Sequence, residues 1–149
     1  MRARFGVTLP GGVGFRTIAG LVASRVEYRR MDALDVHELG ERFDVVLCFG
    51  ILHRVTDPIA LLRALADVLV PGGEIVLETY GSRFPADAAA IEIHEPGDVY
   101  ARDDFVYWGF SPEGLRRLGR IVGLDEVRVV DELEIDGHPR ILALLRAAG

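Results

Sequence analysis

Residues 43–58 read Phe-Asp-Val-Val-Leu-Cys-Phe-Gly-Ile-Leu-His-Arg-Val-Thr-Asp-Pro. A short apolar run with an acid near its start and a glycine at its end predicts a buried parallel strand over Phe43–Phe49. Asp57 and Pro58 then supply a helix cap followed by proline at the first helical position. Leu61, Leu62, Leu65, Val68 and Leu69 fall on one helical stripe, which Pro71-Gly72-Gly73 ends. Glu74–Tyr80, centred on Ile75, Val76 and Leu77, predicts the next strand. Strand, helix, strand in this order closes as a right-handed parallel crossover. Open α/β sheets receive their ligands at the carboxyl edge of such strands, which directs attention to Phe49, Gly50 and His53.

The flanking segments extend the same pattern. Phe15, Ile18, Leu21 and Val22 predict a helix over Phe15–Ala23, and Val26–Met31 predicts a strand ended by Asp32. Val36–Gly40 has room for a short helical turn. Residues 81–110 carry little periodicity and are too long for an ordinary connection, so a substrate or lid loop is expected there. Ser111-Pro112-Glu113 opens another helix, striped by Leu115, Leu118, Ile121 and Val122 and ended by Gly123. Glu126–Val130 and Ile141–Leu145 predict two closing strands around Asp136-Gly137-His138-Pro139. A single domain over residues 1–149, with an irregular start over 1–14, is the expected organisation.

Composition narrows the classes. The chain of 149 residues is 50% hydrophobic with a mean hydropathy of +0.23, which suits a folded core. Its apolar runs are interrupted well short of a membrane span, and its start lacks the apolar core of a secretory signal, so a cytoplasmic location is expected. Cys48 is the lone cysteine, which excludes an intrachain disulfide and a cysteine metal cage. All 17 basic residues are arginine, with no Lys, Asn or Gln, a bias read as coding rather than chemistry. The net charge of -6 argues against a self-sufficient nucleic-acid binder.

Phe43-Asp44-Val45-Val46 and Pro71-Gly72-Gly73-Glu74, in this element order, resemble the second half of a class I S-adenosylmethionine-dependent methyltransferase. Gly50-Ile51-Leu52-His53, Glu95-Pro96-Gly97-Asp98-Val99-Tyr100, the stretch Tyr107 to Ser111, and Gly137-His138-Pro139-Arg140 are similar to segments of the tRNA wobble-uridine methyltransferases and carboxymethyltransferases. The resemblance covers roughly residues 14–149. It implies an α/β fold, a Rossmann-like sheet that is mostly parallel with a C-terminal antiparallel hairpin and lacks the usual first strand or strands. It also implies S-adenosyl-L-methionine as cofactor. The family's first strand, GxGxG loop and ribose acid would precede residue 14 and have no counterpart here, so the chain is expected to be truncated relative to the family. His53 stands where the wobble-uridine relatives have a tyrosine, and Arg54 where they have a histidine.

Candidate site residues follow from both lines. Gly11-Gly12-Val13-Gly14 with Asp32 could form a compressed phosphate-cradling unit after a strand over Arg4–Leu9; a plain turn at a frayed start is the competing account. By resemblance, Asp32, Leu34 and Asp35 are candidates for the adenine end of the cofactor, against a solvated helix cap. Phe49 and Gly50 are candidates for its methionine end, since glycine permits close backbone approach. His53 is a candidate for both cofactor binding and catalysis, as donor to a carboxylate or as base. Tyr100 is a second candidate for the proton step, and Tyr100, Arg102 and Arg140 for substrate binding, with Tyr107 and Trp108 beside them. For Arg140 the alternative is a structural carboxylate such as Asp131 or Glu134. His37, His94 and His138 lack metal-ligand spacing and read as surface residues; no metal is expected. Two functions are consistent with these residues. One is a methyltransferase acting on a small molecule or RNA base. The other is a non-catalytic module that completes its sheet as a homo-oligomer or with a partner chain.

Overall fold

The computed structural model describes residues 11–100 and 103–149, and the chain divides into two compact units, Met1–Asp32 and Ala33–Gly149. The expected strand over Arg4–Leu9 lies outside the described residues. In the first unit helix α1 spans Val13–Leu21. It starts two residues earlier than the apolar spacing predicts because Gly12, at φ 78°, takes the left-handed conformation that turns the chain into the helix. Val26–Met31 is not a strand: among the described residues it joins no sheet. Its β-branched and aromatic composition favours extension, but a strand also needs a neighbour to accept its ladder bonds.

The second unit runs from a 3-10 turn at Ala33–Leu39 into β1 (Phe43–Phe49), a 3-10 turn at Leu52–Arg54, α2 (Pro58–Asp67) and β2 (Leu69–Tyr80). It continues through β3 (Ile91–Ile93), β4 (Trp108–Phe110), α3 (Pro112–Ile121), β5 (Leu124–Ile135) and β6 (His138–Ala147). The main sheet has the order β1-β2-β6-β5, and β3-β4 forms a separate ribbon. β1 and β2 are parallel; β6 is antiparallel to both β2 and β5. The α/β class and the C-terminal antiparallel hairpin therefore stand.

Local chemistry explains the boundaries. Asp57 caps α2, its Oδ1 accepting the Ala60 N–H at 2.9 Å, and Ser111 caps α3, its Oγ accepting the Gly114 N–H at 3.0 Å. β2 begins before Pro71-Gly72-Gly73 because the pairing with β1 jumps from Phe43↔Leu69 to Val45↔Glu74 across an irregularity. A side chain on Gly73 would press on the carbonyl oxygens of Val70, Phe43 and Asp44 at 3.0, 3.1 and 3.2 Å, so the close approach there requires glycine. Asp136 (φ 52°) and Gly137 (φ 78°) form the left-handed pair of a two-residue hairpin turn. That turn holds register from Ile135↔His138 onward, which lengthens β5 and β6 beyond the spans expected from sequence.

The core lies on one face of the sheet. Cys48, Ile75, Leu77, Ile141, Ala143 and Leu145 pack with Leu61, Leu62 and Leu65 of α2 and Leu115 and Leu118 of α3. The Cys48 thiol is buried, and desolvation pushes its pKa up to about 11. β1 departs from expectation: it is not enclosed on both faces, because Val45, Leu47 and Phe49 are exposed. No described helix is long and apolar enough to cross a membrane. Leu77→Ala should cost about 2–5 kcal/mol of stability in urea unfolding, whereas Ile59→Ala, at an exposed position on α2, should cost less than about 1 kcal/mol.

Candidate functional site

The carboxyl ends of β1 and β2 form the centre of the site. Phe49 is exposed at the end of β1. Gly50 follows at φ 69° and donates its N–H to the Glu78 carbonyl at 3.0 Å. A Cβ on Gly50 would meet nothing nearer than Glu78 Oε2 at 3.9 Å, so the glycine serves its backbone conformation. The chain then tightens into the Leu52–Arg54 turn, which buries His53 completely.

His53 Nδ1 accepts the Tyr80 N–H at 3.2 Å and lies 3.2 Å from Thr79 Oγ1. A backbone N–H can only donate, so Nδ1 is the unprotonated nitrogen and Nε2 carries the hydrogen. Nε2 is enclosed and has no hydrogen-bond partner among the described residues. Burial, then the positive charges of Arg140 and Arg54, lower the His53 pKa to about 4. The imidazole is neutral near pH 7 and its basic nitrogen is engaged. Of the two actions considered from sequence, this geometry supports hydrogen-bond donation and not proton abstraction.

Arg140, opposite Tyr80 in the β2–β6 pairing, is committed to Glu78. Its Nε and Nη2 engage the two carboxylate oxygens, the latter at 2.8 Å, and Nη1 donates to the Tyr100 hydroxyl at 3.4 Å. The structural carboxylate is therefore Glu78, not Asp131 or Glu134: the register sets Glu78 opposite Leu142, one alternation from Arg140 on the same sheet face. Burial opposes the Arg140 charge, but the hydrogen bonds and charge of Glu78 outweigh it and raise the guanidinium pKa. Tyr80 is buried beside this pair, its ring centroid 6.2 Å from those of His53 and Tyr100, 5.6 Å from His94 and 6.1 Å from His138. Burial, then the neighbouring Tyr100, raises the pKa of its hydroxyl. His94 and His138, expected at the surface, are half-buried in this cluster.

The long loop is fastened to the site. Arg54 Nη1 binds both oxygens of Asp103 at 3.0 and 2.8 Å. The Tyr107 N–H donates to the His53 carbonyl at 2.9 Å, and Trp108 Nε1 donates to the Val55 carbonyl at 2.7 Å. Burial works against the Asp103 charge, but the hydrogen bonds from Arg54 and the Phe105 N–H prevail and lower its pKa.

Other expected site residues are placed elsewhere. Arg102 lies outside the described residues. Asp32 is the exposed last residue of the first unit, and Leu34 and Asp35 are exposed on the first 3-10 turn of the second. The glycine cradle is filled: a Cβ on Gly12 would lie 2.3 Å from the Tyr28 ring, which stacks on Phe15 at 5.4 Å. The Gly11–Gly14 turn thus packs an aromatic side chain. No metal-binding cluster of His, Cys, Asp and Glu occurs among the described residues.

Comparison with known proteins gives concordant results. Residues 11–128 match the family described as methyltransferase domain. A tRNA U34 carboxymethyltransferase of Sulfurovum sp. strain NBC37-1 is 26% identical over 122 residues, covering 82% of this chain and 39% of the relative. A ubiquinone biosynthesis O-methyltransferase of Cereibacter sphaeroides is 35% identical over 108 residues, covering 68% of this chain and 42% of the relative. The chain thus spans less than half the length of these curated relatives. A Burkholderia thailandensis 1,6-didemethyltoxoflavin-N1-methyltransferase, solved with S-adenosylhomocysteine, superposes with a TM-score of 0.69 at 19% identity, over 92% of this chain and 57% of its own. That likeness is one of fold.

The His53 environment makes a pH-dependent stability prediction. Its folded pKa of about 4 lies below the ordinary 6.5, so the unfolded state binds the proton more readily. The His53 contribution should be fully present above pH 6.5 and lost as pH falls toward 4, by about 3 kcal/mol. Urea unfolding of the native chain and His53→Gln across this window should show their stability difference changing with pH. A constant difference would contradict the assignment.

Proposed function

Because this chain belongs to the methyltransferase domain family, we propose that it is an S-adenosylmethionine-dependent methyltransferase domain. The observation that carries the reading is the carboxyl edge of the β1–β2 pair, where Phe49 is exposed and Gly50 turns the chain without a side chain in the way. These two residues fit the methionine end of the cofactor, and Leu34 and Asp35 are assigned to its adenine end by resemblance. Asp32 has the same assignment. The Gly11–Gly14 turn does not fit a phosphate-type cradle, because Tyr28 occupies it.

The bound cofactor would supply an electrophilic methyl group on a sulfonium. The protein's share is alignment of the acceptor with that carbon, which needs little acid–base assistance. Tyr100, whose hydroxyl accepts a hydrogen bond from Arg140 Nη1 at 3.4 Å, is assigned the acceptor's proton where one must leave. Tyr100 and Arg102 are the assigned substrate contacts, while Arg140, expected from sequence in that role, is held by Glu78. Arg54 and Arg140 are already paired with Asp103 and Glu78, which favours a plain methyl donor over a carboxylated one. Residues 33–149 hold eleven arginines against twenty-one acids, a net charge of −10, which favours a small acceptor over RNA. The alternative is a non-catalytic module; the filled glycine turn is the observation that favours it.

Calorimetric titration with S-adenosylmethionine and S-adenosylhomocysteine tests the choice. Micromolar binding, weakened at least about tenfold by Gly50→Val, is expected for the methyltransferase. A folded chain that binds neither compound would establish the alternative.

A further inference from the structure

Two arginine–carboxylate pairs border the carboxyl edge of β1 and β2. Arg140 and Glu78 make the first: the guanidinium engages both carboxylate oxygens through Nε and Nη2, and the two side chains are only 11% and 21% exposed. Arg54 and Asp103 make the second, Nη1 meeting both oxygens at 3.0 and 2.8 Å. His53 lies within electrostatic reach of all four groups and is neutral near pH 7. Each of these two cations thus has its own carboxylate inside the protein.

The first pair is the one placed to meet a ligand. A Cβ on Gly50 would lie 3.9 Å from Glu78 Oε2, so the carboxylate stands beside the turn assigned to the methionine end of the cofactor. On its other side Arg140 Nη1 donates to the Tyr100 hydroxyl at 3.4 Å. The Tyr100 ring lies 4.2 Å from that of His138 and meets Tyr80 edge-on at 6.2 Å. An anionic group entering here would find Nε and Nη2 of Arg140 already taken, with the Glu78 charge beside it. A cationic group would find both oxygens of Glu78 engaged. A charge leaves water at low cost only where a free partner of opposite sign awaits it, and a pair this buried is little screened by salt. A satisfied pair therefore disfavours either sign and receives an uncharged group.

We propose that Glu78 is a specificity-determining residue. By holding Arg140 it makes the acceptor group beside the transferred methyl an uncharged one, a hydroxyl or an amide, in place of a carboxylate or phosphate. That the bound molecule is a methyl acceptor rests on the methyltransferase reading above; the selection by charge does not require the cofactor.

Benzamide, benzoate and benzamidine share one shape and differ in charge, and their ring suits the aromatic side chains around Tyr100. In NMR titrations of the full chain without cofactor, benzamide should bind at least about tenfold more tightly than either ion. Glu78→Gln frees Arg140 and should turn the preference to benzoate by about tenfold or more. Arg140→Gln frees Glu78 and should turn it to benzamidine by a similar factor. Circular dichroism identifies the variants that fold, and either one suffices. A native chain without a preference for benzamide would overturn the proposal, as would a folded variant that keeps the native order. Calorimetry of the native chain with S-adenosylhomocysteine reads the methyltransferase assignment separately, so loss of that assignment is visible whichever way the probes divide.

Discussion

The pairing of β2 with β6 is the constraint on which the site depends. β2 is parallel to β1 on one side and antiparallel to β6 on the other, so its register fixes three strands at once. A one-residue slip would exchange the two faces of the strand. Ile75 and Leu77 would leave the core, and Glu78 would leave the face on which it meets Arg140. The apolar alternation that fills the core also aims the polar groups of the site, and the two cannot be altered separately.

From that register follows the chemistry around Tyr80. The Tyr80 N–H makes one nitrogen of His53 an acceptor, and the Tyr80 ring centroid lies 6.2 Å from that of His53 and 5.6 Å from that of His94. His53 Nε2, His94 Nε2 and Ser82 Oγ are enclosed without partners among the described residues. Buried polar groups in this condition cost stability, and functional sites are where such costs persist. The long loop closes over the region through Arg54–Asp103 and Trp108–Val55.

Much of the fold was legible because its signals are local. Asp57-Pro58 and Ser111-Pro112 mark helix starts through caps made within three residues, and Asp136-Gly137 marks a hairpin through its own backbone preference. The sheet's long-range register leaves no local signal in the sequence. Glu78 and Arg140 are 62 positions apart, so no local pattern joins them. A charged residue on each of two apolar strands was the available sign. Val26–Met31 has strand composition without a neighbour, and the Gly11–Gly14 turn has the spacing of a cradle but holds Tyr28. Composition shows what a segment can do; the contacts decide whether it does so.

The buried Cys48 has a consequence for following this molecule in time. A thiol raised to about 11 and enclosed between β1 and the helices reacts slowly with disulfide or maleimide reagents while the core is shut. It is also the only thiol in the sequence. Its labelling rate in the native chain therefore counts the openings of this core, with no probe added.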